Sequence, residues 1–105
     1  MNHSSLLLRS SLKAIVTAVD KSKQLLDQDE TNLDSDAIHS VKSVLYAAIE
    51  QTRTGVERLA TLQRMLRELL VIITSNVELK TYEREVGRQI IQEIVEHCVG
   101  LNEKL

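Results

Sequence analysis

Apolar residues recur along this chain in alternating steps of three and four, with polar residues between them. From about Ser5 to Gln28 the apolar positions are Leu8, Leu12, Ile15, Val19 and Leu26, with Ser22 in the one polar slot. Val16 and Leu25 widen that face. The spacing predicts an amphipathic helix over about 5–28. From Ile38 the same rhythm continues through Val41, Leu45, Ala48, Thr52, Gly55, Leu59, Leu62, Leu66, Leu69 and Ile73. A heptad held this long predicts a coiled-coil-like seam on one helix over about 35–74. A third stripe holds Leu79, Tyr82, Val86, Ile90, Ile94, Cys98, Leu101 and Leu105, with Ile91 and Val95 beside it. It predicts a helix over about 76–103.

Polar punctuation separates the segments. "DQDETNLDSD" carries Asp27, Asp29, Glu30, Asp34 and Asp36 and no base. Like charges repel and stay in water, so an acidic loop is expected at about 29–34. Asp34 is placed to cap the next helix, with Leu33 and Ile38 as a hydrophobic staple. Near residue 75 a β-branched run weakens the helix, and Ser75 with Glu78 has the spacing of a capping box. "QTRTGVERL" is a further candidate break. Gly55 costs about 1 kcal/mol in a helix interior, and Thr54 with Glu57 also has capping-box spacing. The heptad phase nevertheless passes through unbroken, and no Pro or Asn is present to make a turn. One continuous helix is therefore expected. The alternative is a monomeric four-helix up-down bundle broken near Gly55.

Composition sharpens the fold class. The chain has no Pro, Trp or Phe and only 3 Gly. Turn-rich β architectures need such residues, so an all-α protein is expected. Its 105 residues fit a single helical domain. The three helices would be about 35, 60 and 42 Å long. Helix one would fold along the first half of helix two, and helix three along the second half. Three unequal rods leave part of a broad apolar surface bare. The expectation is an elongated antiparallel three-helix bundle that forms a homodimer. Apolar residues off the seam are the candidate contacts: Leu6, Leu7, Val44, Ile49, Val56 and Leu70. The expected function is a non-enzymatic protein–protein interaction module, a small regulator, adaptor or chaperone. Its expected partners are a second copy and another protein, met helix against groove.

Charge removes several classes. A net charge of −2 implies neither nucleic acid nor an anionic membrane. Arg53, Arg64 and Arg67 would share one side of helix two, but Glu57 and Glu68 stand four residues from Arg53 and Arg64, as in ordinary surface ion pairs. "LLVIITSNV" is about half of a membrane span, and "MNHSSLLLRS" has too short an apolar core for a signal peptide. One cysteine forms no internal disulfide. The chain reads as soluble and cytoplasmic.

Candidate chemistry is sparse. "EIVEHCVG" sets His97 beside Cys98, but Cys98 falls on the apolar stripe, where a free cysteine acts as a small hydrophobe. Its neighbours Glu93, Glu96 and Glu103, and its place near a helix C-terminus, oppose a thiolate. Glu93 with His97 and Asp36 with His39 are each spaced to share a helix face. In a hairpin turning near residue 75, however, the two pairs stand roughly 20 Å apart along the axis. No metal, cofactor or catalytic residue is expected. "HSVKS", residues 39–43, resembles the phosphoacceptor core of histidine phosphotransfer domains, which reads His, any residue, an apolar residue, Lys, Gly. Those domains are four-helix bundles of about this length with the histidine on the second helix. The resemblance implies His39 as phosphoacceptor and Lys42 as the residue that steadies the phosphoryl group. Ser43 stands where the family has the Gly that leaves room for its response regulator.

Overall fold

Helices account for the architecture seen in the computed structural model, which describes residues 3–28, 34–53, 59–75 and 81–104. In chain order they are α1 (His3–Leu26), α2 (Ser35–Gln51), α3 (Ala60–Ser75) and α4 (Thr81–Glu103). The protein is all-α, with no strand among the described residues. Asp34 caps α2 as its type and position predict. Its backbone is extended, at φ −89° and ψ 131°, and its carboxylate accepts from the Asp36 amide at 3.0 Å. Leu33, the other half of the expected staple, lies outside the described residues.

The long second helix of the sequence reading is two helices. α2 stops at Gln51, and Thr52 and Arg53 form a turn. The buried Thr52 hydroxyl donates to the Ile49 carbonyl at 2.5 Å and accepts from Gln63 Nε2 at 3.0 Å. On one straight helix Thr52 and Gln63 would stand about 16 Å apart. The chain has therefore turned back, and α3 packs beside α2. Gly55, Thr54 and Glu57, the residues expected to decide this point, lie outside the described residues.

Polar contacts give the helix directions. Ser11, early in α1, donates to the Gln51 carbonyl at the end of α2 at 3.2 Å. Arg84, early in α4, donates to the Leu26 carbonyl at the end of α1 at 2.8 Å. With the Thr52–Gln63 contact, these make an up-down-up-down bundle. Its neighbours are α1–α2, α2–α3, α3–α4 and α4–α1. The core fills the centre. α1 contributes Leu8, Leu12, Ile15, Ala18, Val19, Leu25 and Leu26, and α2 contributes Val41, Leu45, Ala48 and Ile49. Leu59 stands just before α3, which adds Leu62, Met65, Leu66, Leu69 and Ile73. Val41, Leu45, Ala48, Thr52, Leu59, Leu62, Leu66, Leu69 and Ile73 of the predicted seam are all buried within one chain. No second copy is needed to cover them, so the surface that motivated a dimer does not exist in that form.

α4 carries the other correction. Its buried face is Arg84, Gly87, Ile91, Ile94, Cys98 and Leu101. The expected stripe through Tyr82, Val86 and Ile90 is turned aside. Tyr82 is 76% exposed, and Val86 and Ile90 are half-buried. The reason lies at the end of α1. A helix leaves its last carbonyls without partners and ends with partial negative charge. The Leu26 carbonyl is met by Arg84 Nη1 at 2.8 Å and by Arg88 Nη2 at 2.9 Å. Arg84 also reaches the Gln28 carbonyl, and Arg88 Nε pairs with Asp27 at 3.0 Å. Between the two arginines Gly87 faces Leu26. A Cβ there would stand 2.8 Å from Leu26 Cδ1.

That approach gives a paired test. Gly100, also on α4, has nothing within 4 Å of its Cβ position. Gly100→Ala is expected to raise unfolding free energy by up to about 1 kcal/mol, the helix-propensity gain. Gly87→Ala is expected to lower it by about 1 kcal/mol or more, because Leu26 is fully buried and must move in a filled core. Chemical denaturation measures both. A gain at both positions would show that α4 is not held tightly against Leu26.

Candidate functional site

The face between α1 and α4 carries the exposed aliphatic residues that lie close together. Val16 on α1 is 52% exposed, and Val95 and Val99 on α4 are 44% and 52% exposed. Helical spacing explains the placement. Val95 and Val99 are four apart, so they stack on one flank of α4, just beside the buried Ile91, Ile94 and Cys98. Val16 on α1, next to the buried Leu12 and Ile15, shares a hollow with Val99. Two open hollows lie along this seam. The first, about 590 Å³, is lined by Leu12, Val16, Cys98 and Val99, with Arg9, Lys13 and Glu103 among its polar residues. The second, about 430 Å³, is lined by Ile91, Val95 and Gln92, with Lys23 and Arg88.

Cys98 forms part of the floor of the first hollow. It is a free thiol, 5% exposed. Burial disfavours the charged thiolate and pushes its pKa from 9.0 up to about 11. That is the opposite of what a nucleophilic cysteine needs.

The residues expected to bind a partner are spread over three helices. Leu6 on α1 is 54% exposed, and Leu7 is half-buried. Val44 on α2 and Leu70 on α3 are half-buried against the core, and Ile49 is inside it. Val56 lies outside the described residues. Val16 and Val95, which the spacing assigns to the margins of apolar stripes, are the ones that line the hollows along the α1–α4 seam. Being at the margin of a stripe was the signal in the sequence. What it lacked was which margin faces a groove.

The other candidate groups stay apart. Asp36 and His39 lie at the end of the bundle where α4 begins, and Glu93 and His97 lie towards the other end. Among the described residues no group of three or more His, Cys, Asp or Glu side chains converges as metal ligands would. His39 is exposed on α2, and Lys42, one turn on, is half-buried. The break after Gln51 divides the three arginines, leaving Arg53 in the turn and Arg64 and Arg67 on α3. Arg53 pairs with Glu50 at 3.6 Å, while Glu57 lies outside the described residues. No described helix is long and apolar enough to cross a membrane. Compared with protein-family profiles, curated proteins and solved structures, the chain matches none.

The thiol makes its environment measurable. In the unfolded chain it ionises near 9.0, and in the folded chain near 11. The folded state therefore holds its proton longer. Its stability advantage is complete below pH 9 and is lost as pH rises through about 11. Native Cys98 is expected to react slowly with iodoacetamide at pH 8 and faster as pH approaches 11. Cys98→Ala should remove that part of the alkaline loss of stability seen in denaturation curves between pH 9 and 11. Fast labelling of the native protein at pH 8 would place the thiol in water instead.

Proposed function

We propose that this chain is a non-enzymatic protein–protein interaction module, a small helical regulator, adaptor or chaperone that offers the α1–α4 face to a partner. One observation carries the reading. Val16, Val95 and Val99 stand exposed beside two open hollows, whereas the described positions of the seam from Val41 to Ile73 are buried. Apolar surface gathered around a groove marks a contact site more than scattered apolar residues do. A second copy of the chain is one way to cover that face. The full chain, used as bait in an extract of its source cell, is expected to retain a stoichiometric protein that the Val16→Glu/Val99→Glu double variant loses. Light scattering of the bait over a range of concentrations reports self-association. A bait that retains nothing and stays near 12 kDa at every concentration would overturn the reading.

A second reading rests on a different observation. The described residues form four helices in up-down order, with His39 exposed on the second and Lys42 one turn on. Histidine phosphotransfer domains, which the "HSVKS" stretch resembles, have that plan. Under this reading His39 accepts a phosphoryl group and the Lys42 ammonium steadies it. Incubation with a phosphodonor such as acetyl phosphate, followed by mass analysis at neutral pH, is expected to find phosphohistidine at residue 39 and none in His39→Gln. An unlabelled wild-type protein removes this reading.

A further inference from the structure

From the charges and spacing along the α1–α4 groove, we infer that its occupant is an amphipathic helix of another protein with acidic flanks. This rests on the interaction reading above and names the partner's chemistry. The protein carries a net charge of −2, yet the groove has the opposite sign. Among the described residues that line the two hollows, Arg9, Lys13, Lys23 and Arg88 stand against one carboxylate, Glu103. Arg88 is already engaged, with Asp27 at 3.0 Å and Glu85 at 3.5 Å. Among the described residues Arg9, Lys13 and Lys23 make no ion pair, and all three are exposed on α1. A row of cations beside an apolar trough favours Asp and Glu on what lies in it, and suppresses basic partners.

The spacing favours a helix. Cys98 in the first hollow and Ile91 in the second stand one heptad apart on α4, about 10 Å by the helical rise. That is the separation of residues i and i+7 on an incoming helix, with the residue at i+3 or i+4 falling against Val95. Aliphatic side chains fill the hollows, and carboxylates beside them face Arg9 and Lys13 at one end and Lys23 at the other.

Two synthetic helical peptides of equal length test this. Both carry leucines at i, i+4 and i+7; one has glutamates on its flanks and its twin has lysines. Each is titrated into the ¹⁵N-labelled full chain at low and at physiological salt. The glutamate peptide is expected to bind at least tenfold more tightly, more so at low salt, and to shift amides of α1 and α4 around Val16, Val95 and Val99. Arg9→Glu with Lys13→Glu should reverse the preference. Val99→Asp should abolish binding while leaving the rest of the spectrum in place. Equal binding of the twins, shifts confined to α2 and α3, or no saturable binding of the glutamate peptide at millimolar concentration would each overturn the inference. So would concentration-dependent shifts of the same face without peptide, since a second copy would then be the occupant. Equal binding of the twins, together with a bait-captured protein that the Val16→Glu/Val99→Glu variant loses, would sink this inference alone, because the face would then be a contact site without a preference for acidic flanks.

Discussion

Two arginines of α4 gripping the open end of α1 are the contact on which the rest of the bundle depends. Arg84 is 4% exposed, and its guanidinium lies against backbone carbonyls at the end of α1. A buried cation is costly unless its donors are met, and unpaired carbonyls at a helix end are costly unless they are met too. Arg84 Nη1 donates to the Leu26 and Gln28 carbonyls, and Arg88 Nη2 to that of Leu26. Gly87, between Arg84 and Arg88, lets α4 come close enough for the grip to form. Because the grip fixes which residues of α4 face α1, it also fixes that Val95 and Val99 come to the seam while Tyr82 is turned to solvent.

The polar residues within the apolar rhythm are as informative as the apolar ones. Ser22 occupies a seam position and is fully buried, with its hydroxyl donating to the Ala18 carbonyl at 2.7 Å. Ser11 and Thr52 are buried as well, and both satisfy their hydroxyls at the end of α2. Thr52 reads in the sequence as a weak member of a long seam. In the structure it ends one helix and holds the start of the next. A buried hydroxyl needs a partner, and a helix end supplies free carbonyls.

Much of the fold was legible in the sequence, and the errors have physical causes. The helical class, the first helix, the Asp34 cap and most of the core positions follow from periodicity and composition. The turn after Gln51 was hidden because Thr52 and Leu59 are one heptad apart. The apolar rhythm of α3 therefore begins in phase with that of α2, and unbroken phase does not require an unbroken helix. The face of α4 was misread because periodicity counts an arginine as polar and a glycine as weak. Arg84 and Gly87 lie on the buried side for reasons that exist only once α1 is beside them. The candidate surface was half legible. Val16 and Val95 stood out as apolar residues beside a stripe. The pairing of α1 with α4, which brings both to one seam, is a fact of topology that no local pattern holds.

That same pairing joins the two ends of the described chain. The Thr52–Gln63 contact closes a span of 11 residues, and the Arg84–Leu26 contact closes one of 58. Loop-closure entropy makes the longer span dearer by about 1.5 kcal/mol, so the hairpins form more readily than the ring they complete. The α1–α4 seam is then the pairing whose closure costs the most chain entropy. A ligand laid along it would act as a clasp, holding the first and last helices together.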